Sequence, residues 1–256
     1  MTDRDNKKRK AAYTAAAVVF WLLVWQVLSV VTGSRVILPG PLDALKALFR
    51  LIPQLSFWKT VGNSFIHIAA GFLCAVIAGT LLAAASYRFA PVKILFAPLM
   101  RLIKAVPVAS FIILVLLWIN SRMLPAVISF LMVLPVIYTN VLAGIEGTDK
   151  KLLEMAEVFR LSRTKRLKYI YIPAVKPHFV SAVNIGLGFS WKSGVAAEVI
   201  GLSPNAIGTR LYEAKLYLMT DELFAWTAVI VLVSVAFEKA VMAVLKKVSR
   251  SRSWVI

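Results

Sequence analysis

Lys192 is a lone cation within a run of apolar and small residues, with Ser190, Trp191 and Ser193 beside it and Glu198 further along. A charge in such a run is costly where lipid surrounds it. It is retained where it faces a cavity, a pathway or an acidic partner. A lysine lining a pathway would suit an anion. Glu198 is the nearest candidate partner, but six positions turn a straight helix by about 240°, so the two meet only if the helix breaks near Gly194. Other chemistry finds little to work with. His67 and His178 are the two histidines and lie far apart in sequence, and Cys74 is the one cysteine. No disulfide and no metal-ligand spacing arises from this set. A membrane enzyme would need paired carboxylates or several histidines near one interface, and the chain shows no such pattern. His67 reads as a packed, hydrogen-bonded residue and Cys74 as a small apolar packing residue. No Gly-x-x-x-x-Gly-Lys-Ser/Thr phosphate loop occurs.

The second group of interest is the polar stretch 146–171. Thr148 or Asp149 can cap a helix start. Leu152, Met155, Ala156 and Phe159 then recur at i, i+3, i+4 and i+7, a narrow apolar stripe with Glu154 off it. Ser162 can cap a second, strongly basic helix over 163–171, which Ile172 and Pro173 end. Such a knob suits docking into a groove on a soluble partner, and a basic helix resting on lipid has the same composition.

The elements that must carry these residues are set by hydropathy. The chain is 60% hydrophobic, with a mean hydropathy of +0.79. Its apolar residues lie in long uncharged runs at 11–34, 60–87, 105–121 and 123–145, with shorter ones at 177–191 and 223–237. A spanning helix needs ~20 apolar residues, because every backbone group must be bonded within the hydrocarbon. The third run is extended by 94–100, the fifth by 193–197 and the sixth by 241–245, so six spans are expected. The first run is too long for a signal-peptide core and no clean cleavage site follows it, so it reads as a true span. Small residues from Ala69 to Ala85 expect the second span to pack inside the bundle. Pro98 and Pro107 should bend the third span, and Pro135 the fourth. Before the second span, Leu42, Leu45, Leu48, Phe49 and Ile52 fall at helical spacing, which predicts a short helix in the membrane interface.

The charge of +18 would suggest nucleic acid in a soluble protein. Here most basic residues fall in the N-terminal tail, in 88–104, in 150–176 and in 239–252, all on one side if six spans alternate. That asymmetry is the positive-inside pattern, with both termini cytoplasmic in the inner membrane, and it removes the nucleic-acid reading.

The stretch from Leu153 to Ser162, followed by Ile172 and Pro173, resembles the EAA loop of binding-protein-dependent ABC importer permeases. Glu154, Ala156, Ser162 and Pro173 stand at matching positions. Met155 replaces the middle alanine, and Arg160 stands where the family prefers glycine, which turns left-handed more readily. Further likeness runs in order along the chain and points to the nitrate/sulfonate/taurine branch. It is carried by 37–41, Asn63 and Ser64, Gly71 and Phe72, 105–107 with Trp118, Ser190 and Trp191, 196–198 with Ile200 and Gly201, and Thr220 and Asp221 with 224–227.

The resemblance implies an all-α membrane protein, a six-transmembrane-helix bundle like a type I ABC importer permease, with cytoplasmic coupling helices. Its layout would be a basic tail over 1–10, a transmembrane permease domain over 11–246 with a coupling loop at 147–173, and a cytoplasmic tail over 247–256. Glu154, Met155, Ala156, Phe159, Arg160, Ser162 and Pro173 would then contact the ATPase. Lys192, Glu198, Trp191, Ser190 and Ser193 are the candidates for the substrate pathway. The implied partners are a second permease copy, two ATP-binding subunits that hold ATP and Mg, an external substrate-binding protein and the bilayer. No cofactor is implied in this chain. The alternative is a stand-alone secondary transporter, which should show an internal repeat and more intramembrane carboxylates.

Overall fold

The computed structural model describes residues 3–34 and 36–251. Met1, Thr2, Arg35 and residues 252–256 of the expected C-terminal tail lie outside the described residues. The described chain is helical from end to end, and it divides into two compact units, 1–59 with 210–229, and 60–209 with 230–256.

The first unit holds α1 (Asp3–Thr32), α2 (Pro41–Leu51), the start of α3 (Leu55–Arg88), most of α10 (Ile207–Leu216) and the start of α11 (Thr220–Ser251). Helix α1 begins at Asp3, so the basic stretch expected as a tail is a continuation of the helix. No residue of its apolar part, Ala12–Thr32, is fully buried; Val24, Trp25, Gln26 and Ser29 are half-buried and the rest is exposed, as suits a helix lying in hydrocarbon or against another chain. Pro41 starts α2 at the position where a missing N–H costs nothing, and the Asp43 carboxylate accepts from the Gly40 N–H. Ala44, Ala47 and Leu51 are buried while Leu42, Leu45 and Phe49 are exposed. An outward apolar face beside exposed Lys46 and Arg50 suits the interfacial helix expected from the spacing. The Trp25 indole N–H donates to the Pro39 carbonyl, and Arg50 pairs with Asp221.

The second unit carries the rest of α3, α4 (Ala90–Ala105), α5 (Val108–Leu116), α6 (Leu124–Glu146), α7 (Lys150–Val158), α8 (Arg163–Arg166), a π-helical stretch (Leu167–Tyr171), α9 (Ile172–Gly201) and the rest of α11. Its core is built on Ile68, Phe72, Val133, Ile137, Leu187 and Trp191, with Phe237 stacked edge-on to Phe65 and Phe72. Helices α6 and α9 form its most extensive pairing. Close approach is bought by small residues. A Cβ on Gly71 would lie well inside contact distance of the Ala126 carbonyl, and one on Gly194 would meet Ile68 Cγ1 at 2.6 Å and Ser129 Oγ at 2.8 Å.

Four described helices are long and apolar enough to cross a membrane: Ala12–Thr32, Leu55–Arg88, Leu124–Glu146 and Thr220–Lys247. The expected third span is not one straight helix. Helices α4 and α5 meet at 107°. Pro107 lacks an N–H and forces the preceding Val106 into extended backbone at φ −78° and ψ 132°, which breaks the run there. Pro98 and Pro135 lie inside α4 and α6, which run through them. The expected fifth span is α9. Its 30 residues rise ~45 Å, ample for a bilayer, and they include Lys176, Lys192 and Glu198. Cys74, expected as a small apolar packing residue, is exposed on α3. His67 is half-buried and its Nδ1 lies 2.8 Å from the Asn63 carbonyl, as a packed histidine should.

Candidate functional site

One end of the second unit is made by the α3 terminus, the start of α4 and the α6–α9 connection. There Lys93 pairs with Glu146, and the Tyr87 and Tyr171 hydroxyls lie 3.1 Å apart. The Tyr171 phenol is pushed up to about 12, by that shared hydrogen bond first and by burial second. Helix α7 projects from this end. Asp149 caps it, its carboxylate accepting from the Lys151 N–H at 2.9 Å. Ser162 caps α8, its hydroxyl accepting from the Lys165 N–H. Of the apolar stripe, Ala156 is fully buried, whereas Leu152 and Met155 are each 44% exposed and Phe159 is 72% exposed. Glu154 is exposed, as are Ser162 and Pro173. The stripe therefore packs at one point and offers the rest outward.

The turn after α7 depends on Arg160. Its φ is +50°, in the left-handed region that an L-residue enters at a cost. The Arg160 N–H donates to the Glu157 carbonyl at 2.9 Å and the Leu161 N–H to the Ala156 carbonyl at 2.9 Å, the paired bonds of a Schellman ending. Arginine thus makes the turn that glycine makes more cheaply. Arg166 adds a brace. Its Nε donates to the Leu161 carbonyl at 3.1 Å and its Nη2 to the Ala156 carbonyl at 3.3 Å, so the end of α7 is bonded to α8.

Helix α9 has two contrasting faces. Ser190, Trp191, Ser193 and Glu198 are buried inside the chain. Ser129 Oγ donates to the Ser190 carbonyl at 2.9 Å, and Trp191 packs against Phe65 and Phe237. Trp191 Nε1 and Glu198 Oε1 are buried without a hydrogen-bond partner. Lys192 is exposed and has no ion pair among the described residues. Ser181 and Asn184 are exposed on its side of the helix, with half-buried Gly188 between. Positions 181, 184, 188 and 192 follow the i, i+3, i+7, i+11 rule, so they form one polar or small stripe. The helix does not break at Gly194, and Lys192 and Glu198 do not meet.

Sequence reasoning named Lys192 but missed the stripe, which its helical period would have revealed. It also missed the Arg166 brace, which no local signal distinguishes from the other basic residues of 163–168.

The model of the family described as binding-protein-dependent transport system inner membrane component matches residues 48–253, most of the chain. The chain belongs to that family. Among curated relatives, the permease is 23% identical over 231 residues to the Taurine transport system permease protein TauC of Escherichia coli (strain K12). That match covers 88% of this chain and 84% of the relative. It is 25% identical over 210 residues to the Putative aliphatic sulfonates transport permease protein SsuC of Bacillus subtilis (strain 168), covering 80% and 74%. Its fold is similar to a chain in the crystal structure of a bacterial ABC transporter involved in the import of the acidic polysaccharide alginate. There the TM-score is 0.56 at 16% identity, covering 98% of this chain and 100% of that one. A chain of an amino acid ABC transporter gives 0.53 at 18% identity, covering 82% and 97%. The protein is thus a multi-pass membrane permease component of a binding-protein-dependent, ABC-type importer, in the branch expected from its motifs.

Proposed function

We propose that the permease works as one of two identical copies that together form a pathway, and that its 147–173 loop couples this pathway to cytoplasmic ATP-binding subunits. The observation that carries the coupling role is the projecting α7. It is capped at Asp149, closed at Arg160, braced by Arg166, and exposes Met155 and Phe159 beside Glu154. A short helix fixed at both ends and apolar on an exposed side is suited to a groove on a soluble partner. ATP and Mg belong to that partner, and an external binding protein delivers the substrate. Both termini are cytoplasmic in this reading, on the side of the basic loops.

The pathway wall is the exposed stripe of α9, with Lys192 as its one charge. Lys192 in lipid would cost several kcal/mol, so it faces water or the second copy. Ser190, Trp191, Ser193 and Glu198 stand behind it as buried support. A cation at this place favours a small anion or a substrate with an anionic head. Relatives named for taurine, aliphatic sulfonates and bicarbonate are in keeping with that choice.

The test is purification of tagged permease, co-expressed with its neighbouring genes, as wild type and as Glu154→Arg. An ATPase subunit should co-purify with wild type and be lost or strongly reduced with the variant. A folded permease that brings down no ATPase would sink the coupling reading.

A further inference from the structure

At the end of the second unit away from α7, the chain leaves α9 at Gly201 and starts α10 at Ile207. Two residues of this short connection, Leu202 and Asn205, have φ of +48° and +52°. Side chains from other elements hold it in place. Gly208 N–H donates to Glu198 Oε2 at 2.9 Å, and Ile207 N–H donates to Ser64 Oγ at 2.9 Å. Asn63 Nδ2 donates to the Pro204 carbonyl at 3.2 Å and to that of Asn205 at 3.1 Å. Ser203 Oγ donates to the Ser121 carbonyl at 2.6 Å. Glu198 and Ser64 are both 0% exposed.

A carboxyl oxygen that accepts a first-turn N–H satisfies a donor that has no partner within its own helix. Here the capping group comes from another helix. Gly208 also lies directly on α9. A Cβ there would meet the Val199 nitrogen at 2.7 Å and the Val195 carbonyl at 2.8 Å, and would overlap Glu198 Cβ. The segment 202–209 is thus bonded and packed onto the last turns of α9.

The other end of the same helix begins at the α7–α8 loop. Helix α8, the π-helical stretch and α9 run without interruption from Arg163 to Gly201, ~58 Å at ~1.5 Å per residue. One helical rod therefore joins the loop that turns at Arg160 to the clasp at Glu198.

We propose that Glu198 is a positioning residue that makes 202–209 a fixed extension of α9, so that movement imposed on the coupling loop is delivered to the far end of the rod. This rests on the reading that the loop docks on an ATPase. The clasp is distinct from the pathway face, because Glu198 is buried on the side of α9 that packs against the chain while Lys192 is exposed.

The experiment uses the full complex with its co-purified ATPase in lipid nanodiscs. The permease carries Cys74→Ser and exposed Pro204→Cys labelled with an environment-sensitive fluorophore. Emission is compared without nucleotide and with ATP plus orthovanadate. Parent and Glu198→Gln should show the same shift, because the amide oxygen still accepts from Gly208. Glu198→Ala should lose at least half of it with the ATPase still bound, and Ser64→Ala should reduce it. An undiminished shift in Glu198→Ala overturns the proposal, as does a parent that binds ATPase but shows no shift. If Glu198→Ala does not assemble, Ser64→Ala decides, and a full shift there overturns it. A parent that binds no ATPase removes the coupling reading, and this proposal falls with it.

Discussion

Arg166 reaches back ten residues to bond the carbonyl of Ala156, the one fully buried position on the apolar stripe of α7. Its guanidinium also holds the Leu161 carbonyl, so the last turn of α7 and the first of α8 behave as one piece. A groove-binding helix gains from being held rigid before it binds, since less ordering is left for the moment of contact.

Removing this brace with Arg166→Gln should cost about 1–3 kcal/mol of local stability, the range for lost charge-assisted hydrogen bonds. Amide hydrogen exchange over 156–162 should quicken, while exchange within α6 stays unchanged. ATPase recovered in the co-purification should fall. Unaltered exchange in 156–162 would mean that the guanidinium does not secure the turn.

Arg160→Gly should act in the opposite direction. The +50° φ is native to glycine and costly to arginine, and the relief is partly offset by the greater freedom of glycine in the unfolded chain. A net gain of about 0.5–1 kcal/mol is expected, seen as a rise of about 2–4 °C in the thermal unfolding midpoint. ATPase binding should persist. A lower midpoint would show that the arginine side chain makes a contact worth more than the strain.

Two glycines of the second unit should respond in opposite ways to alanine. At Gly71 the new Cβ would overlap the Ala126 carbonyl, and backbone cannot swing aside, so the α3–α6 crossing must open. Gly71→Ala should cost about 3 kcal/mol or more, read as loss of monodisperse protein in detergent. At Gly188 nothing lies within 4 Å of the Cβ position. Gly188→Ala should be neutral or stabilising by up to about 1 kcal/mol, from helix propensity alone. Equal yields for the two variants would refute the close α3–α6 approach.

Gly188→Cys, in a Cys74→Ser background, reports on the pathway. It lies one turn from Lys192, ~6 Å along the axis. If the stripe is wet, the thiol should react with water-soluble methanethiosulfonates, while a cysteine at exposed Ile77 should not. The lysine should favour a negatively charged reagent over a positive one by at least about threefold, the Coulomb effect of a unit charge at that range in water. Lys192→Met should abolish the preference. No reaction at position 188 would show that the stripe is not wet and dismiss it as a pathway wall.

How much of this was legible beforehand varies with the length scale of the cause. The caps at Asp149 and Ser162 are local, and local spacing pointed to Ser162 and narrowed the first to Thr148 or Asp149. The left-handed turn at Arg160 was expected only through the family preference for glycine, yet the backbone adopts it with arginine, because the Schellman bonds and Arg166 hold it. The break at Pro107 was anticipated as a bend. Its size, 107°, was not, since a missing N–H says where a helix yields and not how far.

The sequence by itself determined that this is a helical membrane protein with a basic, capped loop between its fourth and fifth hydrophobic runs. Those properties follow from run length, charge placement and residues within a turn or two of one another, which hydrocarbon and helix geometry constrain almost alone. Tertiary structure decided which side of each helix matters. Lys192 and Glu198 lie six residues apart on one helix, and only the packing of α9 against its neighbours exposes the first and buries the second against Gly208. Side-chain periodicity places the two on different sides of a helix, but it is the neighbouring helices, distant in sequence, that choose which side is buried.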